Sequence, residues 1–322
     1  MALSRLIRFT LFAIPLALAP ARASEYPDRP IRIVVPFAPG GGTDLVMRAL
    51  AESTAADWKA SIIIENKPGA GTTLGASTVA SAPADGYTLF ANTASFLITP
   101  RLMAKRPYDS DADFVPVAQV ASAPHVLVVA TNVPAGTLPE FTAWAKAKAQ
   151  PATFASFGTG SSSHLGYEIL RHRLGLNMVH VPYRGAAPAL LDVLGGRVDS
   201  MLADLSTVAE HVKSGAVKAL GVAGGARSAA LPDVPTLDEA GVPGFRSASW
   251  FGVVMRSGTP PDIVERWTGA LLAAIAKPEI QAKLGVHGIE PAGMAGPAFG
   301  AFMKSETDKY VEAIRTSGAK LE

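Results

Sequence analysis

The feature that most constrains this fold is a device that occurs twice: a short apolar strand, a loop rich in Gly and Ser, and a helix. The first copy begins with the predicted strand Ile31–Phe37, followed by the loop 38–42 and a helix over Leu45–Trp58 that Thr43 and Asp44 can cap. A continuous apolar run of this kind predicts a buried strand. Strands that alternate with helices are typical of an α/β domain with a mainly parallel sheet.

The second copy consists of a strand over Thr153–Phe157, the loop Gly158–Ser163 and a helix over His164–Leu174. We expect further strands at Ser61–Glu65, Tyr87–Ala91, Val179–Pro182, Val198–Ala203 and Lys218–Ala223, and further helices ending near Ser81 and spanning Leu138–Lys148, Ala186–Leu194, Val208–Lys213, Pro261–Ala276 and Pro297–Thr316. His125–Ala130 is a candidate crossing strand, and Ser249–Met255 is a strand that could return to the first unit. At about 150 residues per domain, the 322 residues suit two such units.

Composition excludes several other classes of protein. The chain is 48% hydrophobic and 17% charged, which gives it enough apolar residues for a large core and excludes wholesale disorder. Its 29 basic and 27 acidic residues are too balanced to indicate nucleic-acid binding. Cysteine is absent, so disulfides, thiolate metal sites and a cysteine nucleophile are excluded.

The first 23 residues predict a secretory signal peptide, since Arg5 and Arg8 precede the apolar stretch Phe9–Ala19 and Ala21–Ala23 resembles a cleavage site. That stretch is about half the roughly 20 residues that a membrane span needs. We therefore expect a soluble exported protein. Cleavage would remove three arginines and no acid, which leaves 26 basic and 27 acidic residues and a formal charge of −1.

The two Gly-rich loops each precede a helix, and this arrangement favours anion binding. Glycine lets a ligand approach the backbone, and a helix start offers unpaired N–H groups at the positive end of its dipole. The alternative is an ordinary helix cap. Nucleotide motifs fail, because Gly40–Gly42 continues as Thr-Asp-Leu and no Gly-Lys-Ser/Thr follows either loop.

Catalytic and metal sites are alternatives at the second loop. Ser161, Ser162 or Ser163 with His164 could serve a serine hydrolase, but the G-x-S-x-G motif lacks its closing glycine. His164, Glu168 and His172 share one helix face and could include a pair of metal ligands. We favour a capping histidine with an exposed Glu–His pair, and we expect no metal and no cofactor.

Three further residues leave two interpretations each. Arg184 follows a strand end and is either a bidentate carboxylate ligand or a solvated loop charge. Asp204 follows the strand Val198–Ala203 and either accepts hydrogen bonds from a ligand or caps the next helix. Phe37 either forms a wall of the pocket or fills the core.

Several long motifs in order resemble the Bug-type substrate-binding receptors of tripartite tricarboxylate transporters, over nearly the whole mature chain. They are Tyr26–Asp44 (YPDRPIRIVVPFAPGGGTD), Glu65–Gly71 (ENKPGAG), Asp85–Leu89 (DGYTL), Ser161–Leu165 (SSSHL), His180–Gly185 (HVPYRG) and Leu231–Thr236 (LPDVPT). The resemblance implies a two-domain α/β periplasmic binding protein of type II-like, Venus-flytrap architecture, with a ligand cleft between domains joined by crossing strands. The expected domains are 24–124 plus 246–322, and 125–245.

The resemblance also implies a non-catalytic receptor that captures a small organic carboxylate and delivers it to the transporter's membrane subunits. A receptor that docks on a sensor protein is the alternative partner arrangement, and we expect a monomer. The candidate ligand-binding residues are Phe37, Pro39, Gly40, Gly41, Thr43, Asp44, Thr93, Ser95, Gly158, Thr159, Ser161, Ser162, His164, Tyr183, Arg184, Gly185, Ala186 and Asp204.

Two positions depart from the family pattern. Thr99 stands where the family often has Asn, and Leu202-Ala-Asp204 replaces the frequent Phe-Asp-Asn. Ala203 thus removes a polar group from a strand expected to line the pocket. The hypothesis that follows is a less polar or aromatic carboxylate as ligand.

Overall fold

The computed structural model describes residues 26–317, so the predicted signal peptide lies outside the described residues. The strands are β1 (Ile31–Val35), β2 (Ile62–Asn66), β3 (Thr88–Asn92), β4 (Phe114–Val129), β5 (Ala152–Ser156), β6 (Met178–Pro182), β7 (Ser200–Asp204), β8 (Lys218–Val222), β9 (Ala248–Arg256) and β10 (Glu290–Ala295). The helices are α1 (Gly42–Trp58), α2 (Thr73–Ala80), α3 (Ala94–Leu102), α4 (Leu138–Ala147), α5 (Ser162–Leu174), α6 (Ala186–Leu194), α7 (Leu205–Lys213), α8 (Pro261–Ile275), α9 (Pro278–Gly285) and α10 (Gly296–Ser317).

These strands form two sheets that share β4. In the first sheet, β1 pairs in parallel with β2 and β3, while β9 is antiparallel to both β3 and β4. In the second sheet, β5 pairs in parallel with β6 and β7, and β4 is antiparallel to β7 and β8. Along β4, Pro124 is the last residue paired with β9, and His125 is the first paired with β7.

Three groups of buried apolar side chains fill the interior. One lies around the second sheet and includes Phe154 and Leu202. Another packs α1 and α8 against the first sheet. The third brings Phe96 of α3 together with Leu165 of α5 and Trp250 of β9, so it connects the elements around the two sheets. No helix among residues 26–317 has the length and apolar character to cross a bilayer.

Most predicted elements are present, and the crossing strands are confirmed as parts of β4 and β9. The cap predicted for α1 is wrong: the helix begins at Gly42 after Gly41, and Thr43 and Asp44 belong to its first turn. Helix α5 begins at Ser162, two residues before the predicted start. The structure adds α3, α9, β10 and the first half of β4.

Candidate functional site

The candidate loops follow the carboxyl ends of parallel strands in both sheets. Loop 37–41 follows β1 and loop 157–161 follows β5, while Asp204 ends β7. In open α/β sheets, ligands bind in the crevice outside these strand ends. The two sides lie close together, because a Cβ built on Gly160 would lie 3.0 Å from Leu102 Cδ1 and 3.4 Å from Ile98 Cγ2 on α3.

The carboxylate of Asp44 fixes the first loop. This side chain is buried and accepts hydrogen bonds from the Gly40 N–H at 2.9 Å, Arg48 Nε at 2.8 Å and Asn66 Nδ2 at 2.9 Å. Burial alone would raise the pKa of the Asp44 carboxyl, but these three donors together lower it below its ordinary value. Both oxygens of Asp44 therefore accept hydrogen bonds within the protein and fix the shape of the loop.

The outer part of the first loop is open for ligand contact. Pro39, Gly40 and Gly41 are exposed, and Gly40 has φ +86°, which favours glycine. The α1 N-terminus behind them has no side-chain cap, so its first N–H groups are available to an anion. Phe37 is half-buried against the core, and its carbonyl oxygen accepts a hydrogen bond from Asn66.

The second loop is held by its own serines. Ser161 caps α5, accepting from the His164 N–H at 3.2 Å and donating to the Gly158 carbonyl at 2.7 Å. Ser163 is buried and donates to the Leu202 carbonyl at 2.5 Å. The loop therefore presents the α5 N-terminus, with Thr159 half-buried beside it.

The geometry does not favour the serine-hydrolase alternative. Nδ1 of His164 accepts a hydrogen bond from the Gly160 N–H at 3.2 Å, and the ring is buried. The hydroxyls of Ser161 and Ser163 donate to carbonyl oxygens, and Ser162 Oγ lies 3.5 Å from Ser249 Oγ. A nucleophile needs a base within hydrogen-bond reach, whereas the Ser161 and Ser163 hydroxyls donate to backbone carbonyls and Ser162 Oγ contacts another serine.

The exposed Glu–His pair expected on α5 is wrong. The side chain of Glu168 is buried and forms an ion pair with Arg171. Nε2 of His164 lies 3.9 Å from the Glu168 carboxylate, while His172 is exposed. Residues 26–317 gather no group of three or more His, Cys, Asp or Glu side chains suited to a metal ion.

Two further helices, α3 and α6, begin directly after candidate residues. Thr93 precedes α3, and its buried Oγ1 has no hydrogen-bond partner among the described residues, while Ser95 is half-buried. Gly185 precedes α6, which begins at Ala186, and its φ of +121° requires glycine. Tyr183 donates its hydroxyl to Asp192 at 2.5 Å, so that hydroxyl is engaged within the protein.

Arg184 and Asp204 differ in their surroundings. Arg184 is exposed beside Tyr183. Asp204 is the residue before α7, but its side chain makes no capping hydrogen bond. Oδ1 of Asp204 lies 3.2 Å from Nε2 of the buried His125, yet the angles do not suit a hydrogen bond. That oxygen of Asp204 has no donor among the described residues.

Sequence reasoning missed the polar cluster around His125, where the sheets meet. Its Nδ1 contacts Ser247 Oγ at 2.8 Å, and its Nε2 contacts Ser249 Oγ at 3.3 Å.

Thr99 was noted in the sequence only as a departure from the family pattern. The side chain of Thr99 lies against Gly71, because a Cβ built on Gly71 would come within 2.7 Å of Thr99 Cγ2. A Cβ built on Gly160 would lie 3.7 Å from Thr99 Oγ1.

These features define a solute-binding protein with two α/β domains and a cleft between them. The family of tripartite tricarboxylate transporter receptors matches residues 46–318, and the chain belongs to that family. It is 33% identical to Protein BugT of Bordetella pertussis over 94% of each chain.

Solved structures agree with this assignment. Rpa4515 of R. palustris, solved with adipate, is 32% identical and superposes with a TM-score of 0.84 over 92% of this chain and 100% of that one. MatC of Rhodopseudomonas palustris, solved with bound malate, is also 32% identical, with a TM-score of 0.80 over 90% of this chain and 100% of that one.

Proposed function

We propose that this protein is a periplasmic receptor that captures a small organic carboxylate in its cleft and delivers it to transporter membrane subunits. One observation carries the proposal: the starts of α1 and α5, each behind a Gly-rich loop, lie at the carboxyl ends of strands from the two sheets. Because each start offers N–H donors and a positive dipole end, the pair suits the two ends of a dicarboxylate.

Binding is then closure of the two domains on the ligand. We place the domain division at 24–124 plus 246–322 and 125–245, since β4 changes partners between Pro124 and His125. A carboxylate held first by loop 37–41 would recruit the α5 start as the domains close. Closure would replace the waters of the carboxylates mainly by fixed N–H donors.

The remaining parts of the proposal rest on relatives and on the N-terminal sequence. MatC and Rpa4515 were solved with dicarboxylates, malate and adipate. The family is named for a tripartite transporter, and the predicted signal peptide directs this chain to the periplasm. We propose Thr93, Ser95, Arg184 and Asp204 as further ligand contacts, with Ala203 favouring a less polar carboxylate than citrate.

The test begins with native mass spectrometry of protein purified from the periplasm, which identifies any ligand that copurifies. Thermal stability is then measured with malate, adipate, citrate, glutamate and aromatic acids, and calorimetry follows with each compound that stabilises. We expect at least one dicarboxylate or aromatic acid to bind. Stabilisation by citrate or glutamate alone would refute the preference for less polar ligands, and binding of no carboxylate would refute the proposal.

A further inference from the structure

Two histidines, the buried His164 and the half-buried His180, stack directly beneath the second loop. The ring centroids of His164 and His180 are 3.9 Å apart, with an angle of 18° between the planes. Phe154 continues the stack, 5.0 Å from His180. His164 was expected to contact the ligand, but its buried ring faces the inner side of the loop.

Each histidine is connected to a different backbone N–H of this loop. His164 Nδ1 accepts directly from the Gly160 N–H at 3.2 Å. His180 Nε2 lies 2.6 Å from Ser156 Oγ, and that oxygen accepts from the Gly158 N–H at 3.2 Å. A serine hydroxyl has one proton and two lone pairs, so it can make both contacts at once. The two imidazoles thus help to hold the N–H groups of Gly158 and Gly160, alongside the serines of the loop.

The Gly160 contact requires an unprotonated Nδ1, since a protonated nitrogen cannot accept a hydrogen bond. Burial lowers the pKa of His164 to about 3, helped by His180 and Arg171. Burial also lowers the pKa of His180 to about 4, with Arg171 contributing. Glu168, the acidic neighbour, is already paired with Arg171. Both rings are therefore neutral at the pH of the periplasm.

We propose that His164 and His180 are positioning residues of the carboxylate site, which hold the second loop in its binding conformation through neutral, tautomer-specific hydrogen bonds. The inference rests on the proposed function for its effect on affinity. It assigns His164 to the support of the loop, with its hydrogen on Nε2 and its free lone pair on Nδ1. The ligand then meets N–H groups whose directions are set before it arrives.

Three variants of His164 separate this role from simple packing. In His164→Asn the side-chain oxygen lies one bond from Cγ, as Nδ1 does, so it can still accept from Gly160. In His164→Gln the oxygen is one bond farther away, and His164→Leu has no acceptor. We expect all three to lower the melting temperature, because each loses the stacked ring. Affinity, measured by calorimetry with malate and adipate as probes, should fall about tenfold or more in Leu and Gln and be largely retained in Asn.

Two measurements on the wild-type protein need no ligand. The ¹⁵N chemical shifts of the His164 ring should show an unprotonated Nδ1, and the Gly160 amide should exchange slowly with solvent. A protonated Nδ1, or equal affinities of folded Asn and Leu variants, would overturn the inference. Failure of wild-type protein to bind any carboxylate would instead count against the proposed function, and the ring shifts would still decide the tautomer.

Discussion

Replacing Gly160 with alanine tests whether contact between the second loop and α3 holds the cleft closed. Gly160 is buried with φ +80°, a conformation that costs a residue with a Cβ about 1–2 kcal/mol. The new methyl would lie 3.0 Å from Leu102 Cδ1 and 3.4 Å from Ile98 Cγ2. The first contact is tighter than ordinary packing, so Leu102 must rotate or the loop must move away from α3.

Backbone strain and crowding should appear in different measurements. Strain is present whether the cleft is open or closed, so it lowers the free energy of unfolding by about 1–2 kcal/mol without changing affinity. Crowding against Leu102 exists only when the loop meets α3, so it penalises the closed state. An off-rotamer leucine costs about 0.5–1.5 kcal/mol, which corresponds to an affinity loss of roughly two- to tenfold.

The assay is calorimetry with the best carboxylate, paired with urea unfolding. Gly215→Ala is the matched control, because Gly215 has φ +74° and nothing within 4 Å of its built Cβ. It should lose similar stability and keep wild-type affinity. The double variant Gly160→Ala/Leu102→Ala should bind with the affinity of Leu102→Ala alone, because the crowded side chain has been removed. Equal affinities for Gly160→Ala and wild type, or no rescue by the double variant, would refute the closure contact.

Four other changes test separate parts of the site. Gly41→Val should abolish binding measured by calorimetry. Circular dichroism should stay native, because Gly41 has an ordinary φ of −80° and is exposed. Retained affinity would remove the first loop from the site. Asp44→Asn should lower the free energy of unfolding in urea by about 1–3 kcal/mol, since it weakens three part-buried hydrogen bonds to a buried side chain. An unchanged midpoint would contradict this. The free energy of unfolding should fall as pH drops from 6.5 towards 4, because the pKa values of His164 and His180 are lowered to about 3 and about 4 in the folded protein. The expected slope is about 1.4 kcal/mol per pH unit for each proton that only the unfolded chain binds. His164→Asn should flatten this slope, and a flat wild-type curve would argue against neutral histidines. Arg184→Ala should slow association in stopped flow and weaken affinity less than about threefold, because its exposed charge is screened; a hundredfold loss would make Arg184 the main anchor.

The Gly-rich loops were predictable because their signal is local. Each is a cluster of glycines between an apolar strand and a helix, and backbone chemistry alone assigns such a junction an N–H-rich surface. What the loops require of their surroundings was not predictable. Asp44 is fixed partly by Asn66, which lies 22 residues further along the chain. Gly158 is held through Ser156 by His180, which lies 24 residues after Ser156. Sheet pairing creates these contacts, and no short motif records them.

The missed elements have sequences that oppose their structure. The first half of β4 contains Pro116 and Pro124, and its pairing with β9 shifts register at two places. Proline cannot donate to a ladder, so such a run reads as a loop. Strand β10 contains Pro291 and Gly293, and its pairing with β4 keeps it extended. Tertiary contacts outweigh local preference at both places.

Under the proposed function, the charge of the mature chain leaves most of the ligand binding to neutral donors. A formal charge of −1, after loss of the predicted signal peptide, gives no general attraction for a dianion. Beside the loops, Arg48 is paired with Asp44 and Arg171 with Glu168, so neither guanidinium is free. In the proposed site, attraction then comes mainly from N–H groups that Asp44, Ser161 and the two histidines help to position. Such donors are directional, and the two helix starts lie on different domains. We infer that the cleft selects a carboxylate by the separation of its acidic groups more than by its total charge.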